Sequence, residues 1–135
     1  MRLVKLLVIA TSMALLSQIA NASPCDGIDR TLTSERKLEL APVIAKQIKV
    51  KSVDVLQSYR EGTWHIIYAK TPVSENAFFF FKADPIKSQY LVAWGGKARP
   101  DEEAEIAKWV KGKAKGISPK LAQCFAWHVT KDRDV

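Results

Sequence analysis

The sequence predicts a single α+β domain in which one N-terminal helix precedes a four-stranded antiparallel sheet and two C-terminal helices follow it. Four runs rich in β-branched and aromatic residues lie between residues 53 and 94. The segments between these runs are too short for parallel crossovers, so neighbouring strands are expected to be antiparallel. Apolar residues at helical spacing recur before and after this region.

The predicted strands are separated by residues that favour turns. The strands cover residues 53–60, 64–70, 77–82 and 90–94. Glu61-Gly62-Thr63 is short enough for a hairpin, and the two later separators contain Pro72 and Asp84-Pro85. These connections predict a meander.

Alternation along each strand indicates which of its faces is buried. In the first strand an apolar set opposes a polar set: Val53, Val55 and Tyr59 against Asp54, Ser58 and Arg60. In the third strand phenylalanines point to both sides, since Phe79 and Phe81 oppose Phe78 and Phe80. The first strand is therefore expected to be half-solvated, and the centre of the sheet to be apolar on both faces.

The first helix is predicted to begin at Thr33 or Ser34, either of which can act as an N-cap. Its apolar side is expected to pack on the sheet and consists of Leu40, Val43, Ile44, Gln47 and Ile48. Pro42 lacks a backbone donor, so the segment is expected to be kinked or split into two helices there.

Two more helices are predicted after the sheet. The first starts at Pro100, carries acidic residues in its first turn and buries Ile106, Trp109 and Val110. Gly112 and Gly116 end it. The second starts at Ser118-Pro119 and extends to about Val129.

Residues 1–22 have the three parts of a secretory signal peptide. Arg2 and Lys5 form the basic start, an apolar run follows, and Ala20-Asn21-Ala22 precedes Ser23. The apolar run is short for a membrane anchor, and lipoprotein processing would need Cys25 as the first mature residue. Cleavage after Ala22 predicts a periplasmic or secreted domain of residues 23–135, without a membrane span.

Cys25 and Cys124 are the only two cysteines. Because export leads to an oxidising compartment, a disulfide between them is expected, and it would fix the N-terminal arm to the last helix. A redox or nucleophilic cysteine is the alternative, but the sequence has no Cys-x-x-Cys pair.

The net charge of +7 falls to +5 when Arg2 and Lys5 leave with the signal peptide. The sequence lacks the motifs of nucleic-acid binders, so no nucleic-acid partner is expected. Lysines concentrate after the sheet, at Lys97, Lys108, Lys111, Lys113, Lys115 and Lys120. They fit either a solvated helix face or a patch that binds an anionic partner.

No catalytic residue, cofactor site or metal site is predicted. His65 and His128 are the only histidines, and structural roles are favoured for both because no zinc-ligand spacing accompanies them. The acidic residues 101–105 are explained by a helix start, and Gly95-Gly96-Lys97 lacks the spacing of a phosphate-binding loop.

The sheet is unusually rich in aromatic residues, and two explanations remain open. The rings fill an ordinary core under helices on both faces, or some of them form an exposed surface for a partner. The candidates for such a surface are Tyr68, Phe78, Phe80 and Trp94.

The chain resembles small exported bacterial proteins without assigned activity in residues 124–129 and 54–58. Its plan also resembles periplasmic inhibitor and immunity proteins, which implies that it binds another envelope protein through a sheet face or a free edge strand. Two alternatives are a small envelope hydrolase that uses a histidine, and an accessory protein that binds an anionic envelope polymer.

Overall fold

A computed structural model describes residues 23–132. The predicted signal peptide, residues 1–22, lies outside the described residues, as do residues 133–135 of the tail. The elements follow one another as α1 (Ser34–Ile48), β1 (Asp54–Glu61), β2 (Trp64–Lys70), β3 (Ala77–Phe81), β4 (Val92–Gly95), a 3-10 turn (Pro100–Glu102), α2 (Glu103–Lys113) and α3 (Pro119–Lys131). The predicted α+β order is confirmed.

The four strands form one antiparallel sheet in the order β1-β2-β3-β4, so the predicted meander is correct. The β1–β2 hairpin turns at Gly62, whose φ of 59° suits glycine. The boundaries of three strands differ slightly from the predicted ones. β1 lies one residue later, at Asp54–Glu61 instead of 53–60, and β4 ends at Gly95 instead of residue 94. β3 ends at Phe81 rather than at residue 82, and β4 begins at Val92, although Leu91 N already donates to Phe80 O at 2.8 Å.

A bulge in β1 changes the predicted sides of that strand. Val55 pairs with Ala69 and Gln57 with Tyr68, so Leu56 is the extra residue. The bulge reverses the alternation after Leu56, because each later residue points to the face opposite the one that strict alternation gives it. Val55 and Tyr59 therefore lie on opposite faces, and Ser58 is buried at 8% exposure instead of solvated.

One face of the sheet is covered by α1, as predicted. Leu40, Ile44 and Ala45 of the helix pack in one cluster with Val53, Val55, Ile67, Ala69, Phe79 and Phe81. Thr33 caps the helix, since its Oγ1 accepts from Arg36 N at 3.1 Å. The helix continues through Pro42 and is not split. Pro42 lies on the exposed side, where water can satisfy the carbonyl that loses its partner.

The opposite face is covered by α2 and α3. Their buried residues include Ile106, Val110, Leu121, Phe125 and Val129, and they share a cluster with Tyr59, Ile66, Phe78 and Phe80. The domain is therefore a three-layer structure in which helices cover both faces of the sheet.

The C-terminal layer is fastened to the rest of the chain at two points. Ser118 Oγ accepts from Leu121 N at 3.1 Å as the N-cap of α3, and it donates to Glu61 Oε2 at 2.7 Å. Cys124 in α3 forms the predicted disulfide with Cys25, with a Cα–Cα distance of 4.5 Å. The bridge is compatible with an oxidising environment outside the cytoplasm.

Candidate functional site

Three of the four aromatic residues that the sequence offers as candidates for a partner-binding surface lie inside the protein. Tyr68, Phe78 and Phe80 are 7%, 1% and 0% exposed, and Trp94 is half-buried against the same cluster. Tyr68, Phe78 and Phe80 do not face solvent, because α2 and α3 cover the face that α1 leaves open. Of the two explanations for the aromatic content, the structure supports core packing.

Ring contacts show how this core is organised around Phe78. Its ring stacks on Tyr68 at a centroid distance of 4.2 Å and meets the edge of Phe125 at 5.0 Å. Phe125 also contacts Phe80 at 4.9 Å and Trp94 at 5.6 Å. One residue of α3 thus contacts three of the four aromatic candidates, which accounts for their burial.

His128 belongs to the same core. It is 1% exposed, and its ring lies 5.2 Å from the Tyr59 ring and 6.2 Å from the Phe78 ring. Within residues 23–132 no group of three or more histidine, cysteine or acidic residues is placed to hold a metal ion. The aromatic surroundings of His128 are those of a packing residue.

His65 instead lines a surface cleft of about 280 Å³, here called the His65 cleft. Five parts of the chain meet there: the N-terminal arm, the start of α1, β1, β2 and the loop between β3 and β4. The lining residues are Asp29, Thr31, Thr33, Arg36, Ser58, Arg60, His65 and Asp84.

Within residues 23–132 the His65 ring is held at one nitrogen. Nδ1 lies 2.9 Å from the Thr63 carbonyl oxygen, so a neutral ring that donates from Nδ1 keeps its lone pair on Nε2. Burial lowers the pKa of His65 below its usual 6.5, and it outweighs the opposing effects of the Thr63 carbonyl and Asp84. His65 is therefore neutral at neutral pH, with Nε2 as an acceptor.

Ser58 is the second buried polar group in this cleft. It is 8% exposed, and among the described residues its hydroxyl makes no hydrogen bond. Ser58 pairs with Ile67 and Arg60 pairs with His65, so Ser58 and His65 are diagonal neighbours on one face of the sheet. Such neighbours have Cα atoms about 7 to 8 Å apart. The cleft thus holds two buried polar groups with unused hydrogen-bonding capacity.

Two ion pairs form the rim of the His65 cleft. Arg60 Nη2 donates to Asp29 Oδ2 at 2.8 Å, and Arg36 Nη2 donates to Asp84 Oδ2 at 2.8 Å. Arg36 also pairs with Glu39 at 3.0 Å. With two arginines, two aspartates and a neutral His65, the lining residues carry no net charge.

Hydrogen bonds keep both aspartates ionised. The Thr31 backbone N–H, 2.9 Å from Asp29 Oδ1, is the main cause of the lowered pKa of Asp29, with help from Arg60. Burial acts to raise the pKa of Asp84, but the Ile86 N–H and Arg36 outweigh it, so that this pKa is also lowered. All four carboxylate oxygens in the lining consequently have a donor.

A second concave surface follows the C-terminal half of α1 and is here called the lysine groove. Its volume is about 630 Å³. The lining residues are Val43, Lys46, Gln47, Lys49, Ile86, Lys87, Ser88 and Gln89. Three of these residues are lysines, and no acidic residue of the described part of the chain lines the groove, so its described lining is positively charged at neutral pH.

Gln47 fixes one wall of the lysine groove to the other. Its Nε2 donates to Ser88 O at 2.9 Å and to Pro85 O at 3.3 Å, and its Oε1 accepts from Tyr90 N at 2.9 Å. Both ends of the amide are therefore satisfied. These bonds hold the β3–β4 loop against α1 and preserve the groove in the absence of a ligand.

Lys49 ends α1 with an unusual backbone conformation. Its φ of 60° and ψ of 44° lie in the left-handed region, and among the described residues it is the only residue other than glycine with a positive φ. Its N–H bonds the carbonyls of Ala45 and Lys46. Glycine is the usual residue at such a position, because a β-carbon costs on the order of 1 kcal/mol there. Lysine therefore occupies this place at some expense in stability.

The sequence alone identified neither concave surface. The His65 cleft combines residues from 29 to 84 in five segments, and Ser58 reaches it only because of the bulge at Leu56. In the lysine groove, Lys46 and Lys49 are separated by 38 residues or more from Lys87, so no local cluster marks them. The lysines noted after the sheet, such as Lys108 and Lys111, are exposed on α2, away from the lining of both surfaces.

None of the helices between residues 23 and 132 is long and apolar enough to cross a membrane. The comparisons with known proteins add no relative. No protein-family model, no curated protein and no solved structure matches this chain.

Proposed function

We propose that this protein is a small exported binding module that holds an acidic surface of another envelope protein in the lysine groove. One observation carries the proposal: a concave surface of about 630 Å³ is lined by three lysines and by no acidic residue. Like-charged side chains around one concavity raise the local potential and attract a partner of opposite charge.

The apolar residues of the groove support a protein as the partner. Val43 is half-buried and Ile86 is 40% exposed, so an apolar side chain of the partner has a surface to cover. Protein interfaces commonly combine such an apolar centre with a charged rim. The lysines then supply attraction and orientation, while the apolar contact slows dissociation.

Export is the second part of the proposal. Its support is the secretory pattern of residues 1–22 together with the Cys25–Cys124 disulfide, which is typical of proteins in an oxidising compartment. The intact mass of the protein recovered from the periplasm or medium tests it. A mass that begins at Ser23 is expected, and a full-length or acylated chain would contradict it.

The geometry gives less support to the two alternative functions. Ser58 and His65 share a cleft, but no hydrogen bond joins them within the described residues, as a serine nucleophile and its base would require. An anionic polymer would engage the lysines of α2 as well as those of the groove, because its charge is not confined to one site.

Two charge-reversal variants test the role of the groove. Lys46→Glu/Lys87→Glu reverses two charges in the groove. Lys108→Glu/Lys111→Glu is the control, because it changes the net charge of the protein by the same amount but on α2. A partner captured from periplasmic extract by the mature protein is purified, and its affinity for each variant is measured by calorimetry. We expect at least about tenfold weaker binding for the groove variant, or about 1.4 kcal/mol, and little change for the α2 variant.

The results separate binding of one protein partner from binding of an anionic polymer. Equal losses in both variants would indicate general attraction to a polyanion, and unchanged binding in the groove variant would contradict the proposal. Because Lys46 lies in the last turn of α1, where a cation favours the helix, thermal unfolding is measured alongside. Lys87→Glu alone avoids that position, since Lys87 lies in the β3–β4 loop.

A further inference from the structure

We propose that the His65 cleft is a separate binding site, in which the carboxylate of a small ligand is held by Ser58, His65 and the guanidinium groups of Arg36 and Arg60. This inference does not rest on the proposed function of the lysine groove, since the two surfaces share no lining residue. The shared chemistry is a single carboxylate, from either a free amino acid or the C-terminus of a peptide.

Two polar side chains in the His65 cleft have hydrogen-bonding capacity that a ligand can use. Ser58 and His65 are each 8% exposed. Among the described residues the Ser58 hydroxyl makes no hydrogen bond, and the His65 ring makes one, between Nδ1 and Thr63 O. Neither the Ser58 hydroxyl nor His65 Nε2 is fully enclosed, so both atoms are accessible from the cleft for a hydrogen bond. Here both groups line the same cleft, where one ligand can reach them.

The rim of the cleft has more hydrogen-bond donors than its acceptors use. All four oxygens of Asp29 and Asp84 already accept hydrogen bonds. A guanidinium has five N–H donors, yet Arg60 makes one hydrogen bond to Asp29, and Arg36 makes one to Asp84 and one to Glu39. The rim thus has spare donors and occupied acceptors, so it favours an anion over a cation.

The volume and charge of the cleft indicate the size and charge of its ligand. A volume of about 280 Å³ is near the lower end of ligand pockets, about 300 to 1,000 Å³, and fits a small molecule or one terminal residue. The lining carries no net charge before the ligand binds, which suits a monoanion better than a multiply charged phosphate. Guanidinium groups match the two oxygens of a carboxylate in geometry.

A proton is taken up when the carboxylate enters. The Nδ1–H of His65 continues to donate to the Thr63 carbonyl oxygen. Nε2 gains a proton from solvent and donates it in a hydrogen bond to the ligand. The ring is then an imidazolium beside the bound carboxylate. The charged groups facing the ring are Asp29 from the arm, Arg36 from α1, Arg60 from β1 and Asp84 from the β3–β4 loop. The affinity for the carboxylate is therefore expected to rise as the pH falls below neutral.

Imidazole NMR tests the site directly, because the chain has only two histidines and His128 lies in the opposite layer as an internal control. The mature protein is titrated with three probes: N-acetylglycine, which has a carboxylate alone, glycine, which has both charges, and glycinamide, which has an ammonium alone. We expect N-acetylglycine to shift the His65 ring signals toward the imidazolium form and to leave His128 unchanged. A comparable response to glycine assigns the site to free amino acids, and a response to N-acetylglycine alone assigns it to peptide C-termini.

Three results would overturn the site. They are no shift of His65 at saturating N-acetylglycine, an equal shift of both histidines, and an equal response to glycinamide. Ser58→Ala and Arg60→Gln should each weaken binding by about tenfold, or about 1.4 kcal/mol. Lys46→Glu/Lys87→Glu should retain the His65 response, so failure of this inference is distinguishable from failure of the lysine groove. If circular dichroism shows that either cleft variant is unfolded, the titrations of the unaltered protein with the three probes still decide whether the cleft binds a carboxylate.

Discussion

Asp29 and Arg60 exchange both of their backbone hydrogen bonds, at 3.0 and 2.8 Å, and their side chains form an ion pair at 2.8 Å. The pairing places the N-terminal arm on the outer edge of β1, which would otherwise leave strand groups open to another chain. Four residues earlier, Cys25 joins the same arm to α3. The arm is thus fixed to the sheet and to the C-terminal layer, and it forms one wall of the His65 cleft.

Breaking the Cys25–Cys124 disulfide is expected to destabilise the domain. The bridge spans 99 positions of sequence, and for a loop of this size the chain-entropy model gives at most about 4 to 5 kcal/mol. Denaturant unfolding with and without a reducing agent measures the loss. Thiol titration of the denatured, non-reduced protein should find no free cysteine. Two free thiols, or an unchanged unfolding midpoint after complete reduction, would contradict the expected role of the bridge.

Truncating a core aromatic is expected to cost far more than truncating an exposed apolar residue. Phe80→Ala removes a ring that is 0% exposed and in contact with Phe125 and Trp109, so a loss of about 3 to 5 kcal/mol is expected. Leu38→Ala is the control, because Leu38 is 77% exposed, and a change within about 0.5 kcal/mol is expected there. Similar stabilities of the two variants would refute the burial assigned to Phe80.

Local patterns were sufficient to predict the order of the elements. The sequence predicts Thr33 or Ser34 and Ser118 as caps, Leu40 and Ile44 within the buried stripe of α1, and the Cys25–Cys124 disulfide. These features depend on residues within one turn or one strand, or on the count of two cysteines. Relations between distant segments were harder to predict, because the same local pattern fits more than one arrangement.

Two relations in the structure lie beyond these local patterns. Strict alternation predicts Val55 and Tyr59 on one side, but the bulge at Leu56 reverses the later residues and carries Ser58 into the cleft. The sequence also leaves open whether Phe80 and Trp94 belong to a core or to an exposed surface, because it does not show which helices cover which face. Whether an apolar strand is exposed depends on the path of α2 and α3, which is set by long-range packing.

The buried His65 is expected to make stability depend on pH in the mildly acidic range. Its pKa is lowered in the folded state, mainly by burial, so the unfolded chain binds the proton more readily. Stability is therefore full above the unfolded pKa of about 6.5 and falls as the pH decreases from there towards the folded pKa. Thermal unfolding of the protein and of His65→Gln, both in buffers without carboxylates, checks this. The stability of the variant should depend less on pH below the unfolded pKa than that of the unaltered protein. Parallel stability profiles of the two proteins would show that His65 does not cause this dependence.

The last prediction concerns Lys49, where stability and binding are expected to change in opposite directions. Lys49→Gly removes a β-carbon from a residue with a φ of 60°, and the relief is partly offset by the greater freedom of glycine in the unfolded chain. The net gain in the free energy of unfolding should be about 0.5 to 1 kcal/mol. The same change deletes one of three lysines in the lysine groove, so affinity for the acidic partner should decrease.

Lys49→Ala separates the two effects of this substitution. Alanine removes the charge but keeps a β-carbon in the left-handed conformation. It should therefore lower the affinity for the partner as much as glycine does, without the gain in stability. Denaturant unfolding and calorimetry on the three proteins give both quantities. If glycine raised stability and neither variant changed affinity, Lys49 would have no part in binding. In that case the strained lysine would have no functional role in the groove, because glycine would give a more stable protein with the same affinity for the partner.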